Sequence, residues 1–111
     1  MRVKWTDYAE MRRDQIGDYI LDSFGAKRMA KFMQEVDSAV NMLIRNPNIG
    51  FIDPLFADRS ATYRSIIING LSKLVYRIDD DTIYIVGFWD TRMEPNEQRD
   101  QTIARIESDE S

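Results

Sequence analysis

The chain contains no cysteine and no histidine. The first absence excludes disulfides and thiolate metal sites. The second removes the commonest metal ligand and the side chain best suited to proton transfer near neutral pH. Together they exclude Ser-His-Asp and Cys-His catalysis, and no metal or cofactor is expected. Proline and glycine are scarce, with three and five among 111 residues. No apolar run approaches the length that spans a bilayer. The first stretch, "MRVKWTDYAEMRRD", lacks the apolar core of a signal peptide. The expected compartment is therefore the cytoplasm, with no membrane partner.

What is present suits one domain with its own core. Hydrophobic residues make up 43% and charged residues 31%, an ordinary globular balance. The net charge is −4. Residues 93–111 supply all of it through Glu94, Glu97, Asp100, Glu107, Asp109 and Glu110 against Arg99 and Arg105. An acidic tail on a neutral body argues against indiscriminate nucleic-acid binding, while leaving room for a small basic site.

"RVKWT" alternates Val3 and Trp5 with Arg2 and Lys4, which predicts a strand at a sheet edge. Thr6 or Asp7 caps a helix carrying Ala9, Ile16, Tyr19, Ile20 and Phe24 at helical spacing, and Gly25 stops it. A second helix is predicted from about Ala26 to Arg45. Its stripe is Met29, Phe32, Met33, Val36, Val40, Leu43 and Ile44, and "NPNIG" ends it. So short a connection predicts an antiparallel helical hairpin. "FIDPLFADRS" reads as a loop, followed by the strand-like runs "ATYRSIII", "LSKLVYRI" and "TIYIVGFW". The order β-α-α-β-β-β predicts an α+β fold, with the helical hairpin on one face of an antiparallel sheet. The tail is expected to hold a short helix around Thr102 to Ile106, with a disordered end, and to be dispensable for folding.

Asn69-Gly70 is a strong signal for a two-residue hairpin turn. That register sets Arg64 opposite Val75. Taking Asp80-Asp81 as the next turn sets Arg77 opposite Tyr84 and Lys73 opposite Phe88. Alternation then assigns Tyr63, Ser65, Ile67, Leu74, Tyr76, Ile78, Ile83, Ile85, Gly87 and Trp89 to the helix side. Arg64, Ile66, Lys73, Val75, Arg77, Tyr84, Val86 and Phe88 fall on the other side, and Asp90 continues it. Arg64, Lys73 and Arg77 therefore gather on one face. They are either ordinary solvent-side cations or an anion site, since guanidinium forks suit phosphate oxygens. Tyr84 and Phe88 stand ready to stack a base beside them, and the apolar residues of this face also suit a protein partner.

Three stretches, "WTDYAEMRRDQIGDYI", "FGAKRMAKFMQEVDSAVNML" with "NPNIG", and "YRSIIINGLSKLVYRIDDDTIYIVGFWDTRMEP", resemble the RelE/ParE superfamily of type II toxin–antitoxin toxins. The resemblance covers about residues 2 to 95, so residues 1–95 form the toxin domain and residues 96–111 the acidic tail. It implies a bacterial growth inhibitor and a cognate antitoxin. RelE-like members cut mRNA on the ribosome; ParE-like members share the fold and act on DNA gyrase. By resemblance, Arg64 and Arg77 bind the scissile phosphate, and Trp89, Asp90 and Arg92 complete the site.

For a ribosome-dependent endoribonuclease the step is in-line attack of a 2′-hydroxyl on the adjacent phosphate. Arg64 and Arg77 stabilise the developing charge, and Asp90 is the candidate base. Lys73 or Arg92 serves the leaving oxygen, and Lys73, Tyr84 and Phe88 hold the nucleic acid. Asp90 has an equally weighted structural role as the partner of Arg77 or Arg92. The chain departs from the cleaving members in offering Asp53, Asp58 and Arg59 where they carry lysines or a glutamate. It also has Asp90 where several carry His or Tyr. The expected function is mRNA cleavage; the alternatives are gyrase inhibition or antitoxin binding alone.

Overall fold

A computed structural model describes residues 1–110. The elements are β1 (Arg2–Trp5), α1 (Asp7–Phe24), α2 (Ala26–Arg45), β2 (Phe51–Ile52), a 3-10 turn (Pro54–Phe56), β3 (Arg64–Ile68), β4 (Ser72–Asp79), β5 (Thr82–Asp90) and α3 (Pro95–Glu110). The helix ends follow the sequence chemistry. The Thr6 side chain accepts from the Ala9 N–H at 3.2 Å and donates to the Ile85 carbonyl at 3.0 Å, so one residue caps α1 and ties it to β5. Gly25 sits at φ 94°, where a side chain would be strained, and lets α2 begin at once.

The sheet order is β1-β5-β4-β3-β2. β3, β4 and β5 form the antiparallel meander. β1 is an edge strand, as its Lys and Arg predicted, and runs parallel to β5 with Trp5 beside Ile85. β2 was not foreseen: two residues within "FIDPLF" pair with Ser65 and Arg64.

Two single-residue slips change which side chains share a face. Asn69 and Gly70 do form the turn, with positive φ at both and the Leu71 N–H bonded to the Ile68 carbonyl. The ladder resumes one residue later than expected, however, with Ile68 opposite Ser72 and Arg64 opposite Tyr76. Leu71 is the extra residue, and its carbonyl is taken by the Thr91 N–H and hydroxyl. Between β4 and β5 the expected pairing of Arg77 with Tyr84 holds. A bulge at Val75/Tyr76 then leaves Val86 unmatched, and Lys73 lies opposite Trp89 rather than Phe88.

The consequence is a sheet buried on both sides. The helical hairpin covers Ile66, Ile68, Leu74, Tyr76, Ile83, Ile85 and Phe88, packed with Phe32, Val36, Ala39 and Leu43. The opposite face carries Tyr63, Val75, Val86 and Trp89, covered by Phe56 and by Ile106 of α3. Tyr63 and Trp89 thus move to the outer side, whereas Phe88 and Ile66 move to the helix side. α3 is longer than the short helix expected, and Gln98, Thr102 and Ile106 are buried along it. The expectation for Ser111 lies outside the described residues.

Candidate functional site

The residues singled out in the sequence fall into four separate groups, and Phe88 lies apart from them in the core. Arg64 alternates with Ile66 and Ile68, and so belongs to the helix side. Its guanidinium donates to the Gly50 carbonyl at 2.9 Å and the Asn48 carbonyl at 3.4 Å. The opposed Tyr76 hydroxyl accepts from the Gly50 N–H at 3.0 Å and donates to the Pro47 carbonyl at 2.6 Å. Burial raises the Tyr76 phenol above its usual range. A Cβ at Gly50 would fall 2.7 Å from that hydroxyl, so the backbone approach needs glycine. Arg64 and Tyr76 therefore clamp the loop after α2.

Lys73 lies on the outer side in a second cluster. Its Nζ is 2.6 Å from Asp53 Oδ2 and sits against the rings of Phe51 and Trp89. Ser65 donates to the same carboxylate oxygen at 2.6 Å, and the Leu55 N–H reaches Oδ1 at 3.0 Å. Asp53 is only 2% exposed. Burial alone would raise its carboxyl; the bonds from Lys73, Ser65 and Leu55 together outweigh it and hold the group below the usual range. This buried network was not legible in the sequence, because β2 and the 3-10 turn that position Asp53 read as plain loop.

Arg77 and Tyr84 are brought together on the outer face, with the guanidinium 4.7 Å from the ring centroid and 3.2 Å from Asp79. Lys4 continues the same row through its pairing with Tyr84. Phe88 does not join them. It is fully buried on the helix side, edge-on to Phe32 at 6.1 Å, and offers no face to a base.

Asp90 and Arg92 form the fourth group. Arg92 Nε and Nη2 meet the two carboxylate oxygens at 3.0 and 2.6 Å, and the Arg92 backbone N–H bonds Oδ1 at 2.8 Å. The Arg92 side chain, before any other cause, lowers the Asp90 carboxyl below its usual range. A carboxylate so held is a poor proton acceptor. The pair stands at the mouth of a cavity of about 220 Å³ between α1, α2 and the β3–β4 turn. Its apolar wall includes Ile16, Ile20, Phe32 and Ile68, and its rim carries Arg28, Lys31 and Glu35. Tyr19 and Phe24, which helical spacing assigned to the core stripe, instead line this cavity at 58% and 56% exposure, edge-on to each other. Among the described residues no three carboxylates converge as a metal site would require.

The arrangement offers apolar recognition beside a charged rim, and the carboxylates of Asp53 and Asp90 are both held by cations. A family model described as the ParE toxin of the type II toxin–antitoxin system parDE matches residues 3–95. No curated protein matches the chain. Among solved structures, the chromosomal ParDE toxin–antitoxin system from P. aeruginosa contains a similar chain, with a TM-score of 0.66 and 22% identity. That match covers 81% of this chain and 95% of that one, so this chain has residues without a counterpart there. The YoeB dimer from Staphylococcus aureus is similar with a TM-score of 0.52 and 21% identity, covering 78% of this chain and 92% of that one.

Proposed function

Because the chain belongs to the ParE toxin family of type II toxin–antitoxin systems, we propose that it is a toxin that acts by binding a protein target rather than by cutting RNA. The observation that carries this reading is the separation of Arg64 from Arg77 by the sheet itself. Two guanidinium groups on opposite faces do not close on one phosphate. The remaining candidates are committed as well: Lys73 to Asp53, Asp90 to Arg92, and Phe88 to the core. The resemblance names DNA gyrase as the target of ParE-like members, and that is the target proposed here.

Membership of the family implies a cognate antitoxin. We place its docking segment at the cavity between the helical hairpin and the β3–β4 turn. Exposed Tyr19 and Phe24 supply apolar contact there, and Arg28 and Lys31 favour acidic residues in the partner.

The test uses the purified chain in two assays run side by side. Supercoiling by DNA gyrase should be inhibited, and an mRNA on translating ribosomes should stay uncut. Cuts phased to the ribosome, with supercoiling unimpaired, would replace this reading with the nuclease. Neither effect, combined with normal growth on induction, would leave a chain that only binds its antitoxin.

A further inference from the structure

α3 begins where the family match ends, and its attachment is unlike that of the other helices. The stripe it turns toward the sheet is Gln98, Thr102 and Ile106, spaced four apart. Only Ile106 is a large apolar side chain, with Ile103 half-buried beside it. The Thr102 hydroxyl bonds back to its own helix, at the Gln98 carbonyl. The patch beneath is more apolar than the helix that covers it: Val75, Val86 and Trp89 are all nearly or fully buried.

The other fastenings are polar and lie along the helix margins. Arg99 reaches Asp58 at 2.6 Å and the Leu55 carbonyl at 2.6 Å. Arg59 meets Glu107 at 2.9 Å, and Arg12 donates to Gln98 Oε1 at 2.7 Å. Charge pairs at such exposed positions are screened by salt, whereas burial of the strands is not.

We propose that α3 is a detachable strap that occludes the apolar patch around Trp89. It lifts as a unit while the sheet and the helical hairpin stay folded, and raised ionic strength promotes the lifting. This inference stands apart from the choice of toxin target, since it concerns the sheet side away from the cavity.

Amide hydrogen exchange on the full chain tests it, read at Ile103 to Ile106 against β4 and β5. These helix amides should exchange at least about tenfold faster than the strands, and the gap should widen in salt. Arg99→Ala should speed them about fivefold further without changing the strands. Trp5→Phe leaves Trp89 as the sole tryptophan. In that background, Arg99→Ala in high salt should shift the emission to the red. Exchange in α3 that salt and Arg99→Ala leave unmoved, or that moves in step with β5, overturns the proposal, as does an unshifted Trp89 emission.

Discussion

Lys73 holds Asp53 at 2.6 Å inside the outer layer, where both side chains are almost shielded from water. Removing the cation leaves a buried carboxylate short of its main partner. Lys73→Met should cost about 3 kcal/mol in urea unfolding at pH 7. Asp53→Asn should cost less, because the Lys73 ammonium it leaves unpaired keeps some exposure and can turn toward water on its flexible stem, which the Asp53 carboxylate cannot.

The same pair sets an acid limit. The folded-state carboxyl of Asp53 is depressed, so its contribution is complete above the unfolded value and is lost as pH falls through the folded one. Wild-type stability should therefore fall below about pH 4. The fall should be shallower in Asp53→Asn, read as unfolding midpoints between pH 7 and pH 3. Identical slopes would remove Asp53 from the acid response.

Tyr76→Phe deletes one hydroxyl with two partners, the Gly50 N–H and the Pro47 carbonyl. A loss of about 1–3 kcal/mol is expected from leaving those groups unpaired. Gly50→Ala should be at least as damaging, since its Cβ meets the Tyr76 ring and the Ser65 carbonyl within 3 Å. Thermal melts of both variants check this. A neutral Gly50→Ala would show that the loop has room to move.

Phe88→Ala and Tyr84→Ala separate the observed register from the one expected. Phe88 is core, so its truncation should cost about 3–5 kcal/mol. Tyr84 is partly exposed beside Arg77, and its truncation should cost much less. The slipped register predicts this order, and the reverse order would contradict it.

Arg64→Ala should reduce toxicity only as far as it reduces folded protein, because its bonds go to the loop after α2. Arg77→Ala should leave both fold and toxicity near wild type. Growth arrest on induction, normalised to soluble folded protein, is the measurement. Complete loss of arrest in a well-folded Arg77→Ala would return the outer face to the active site.

The helical half of the fold was legible because its signals are local. Thr6, Gly25 and the apolar stripe of α2 mark boundaries that the structure places at the expected residues. The faces of the meander were not legible beyond the bulges. Periodicity has no mark for a single extra residue: Leu71 reads as the first residue of its strand, and Val86 as one more apolar residue in an apolar run. One slip sent Arg64 to the other side from Arg77, and the second exchanged Phe88 with Trp89. α3 was legible only in part, because two of its three buried positions are Gln98 and Thr102. Of the candidate site, the closeness of Asp90 and Arg92 was readable from adjacency. The cavity beside them was not, since Tyr19 and Phe24 satisfy the helical stripe without being buried by it.

The parallel pairing of Trp5 with Ile85 has a consequence for how the chain comes together. β5 is the central neighbour of both β1 and β4, yet it is the last strand of the sheet to leave the ribosome. The earliest strand waits some eighty residues for its partner. Long-range closure of this kind slows folding and leaves unpaired edges open meanwhile. A chain interrupted before Ile83 lacks the strand that joins β1 to β4, so the sheet closes only once β5 has been made.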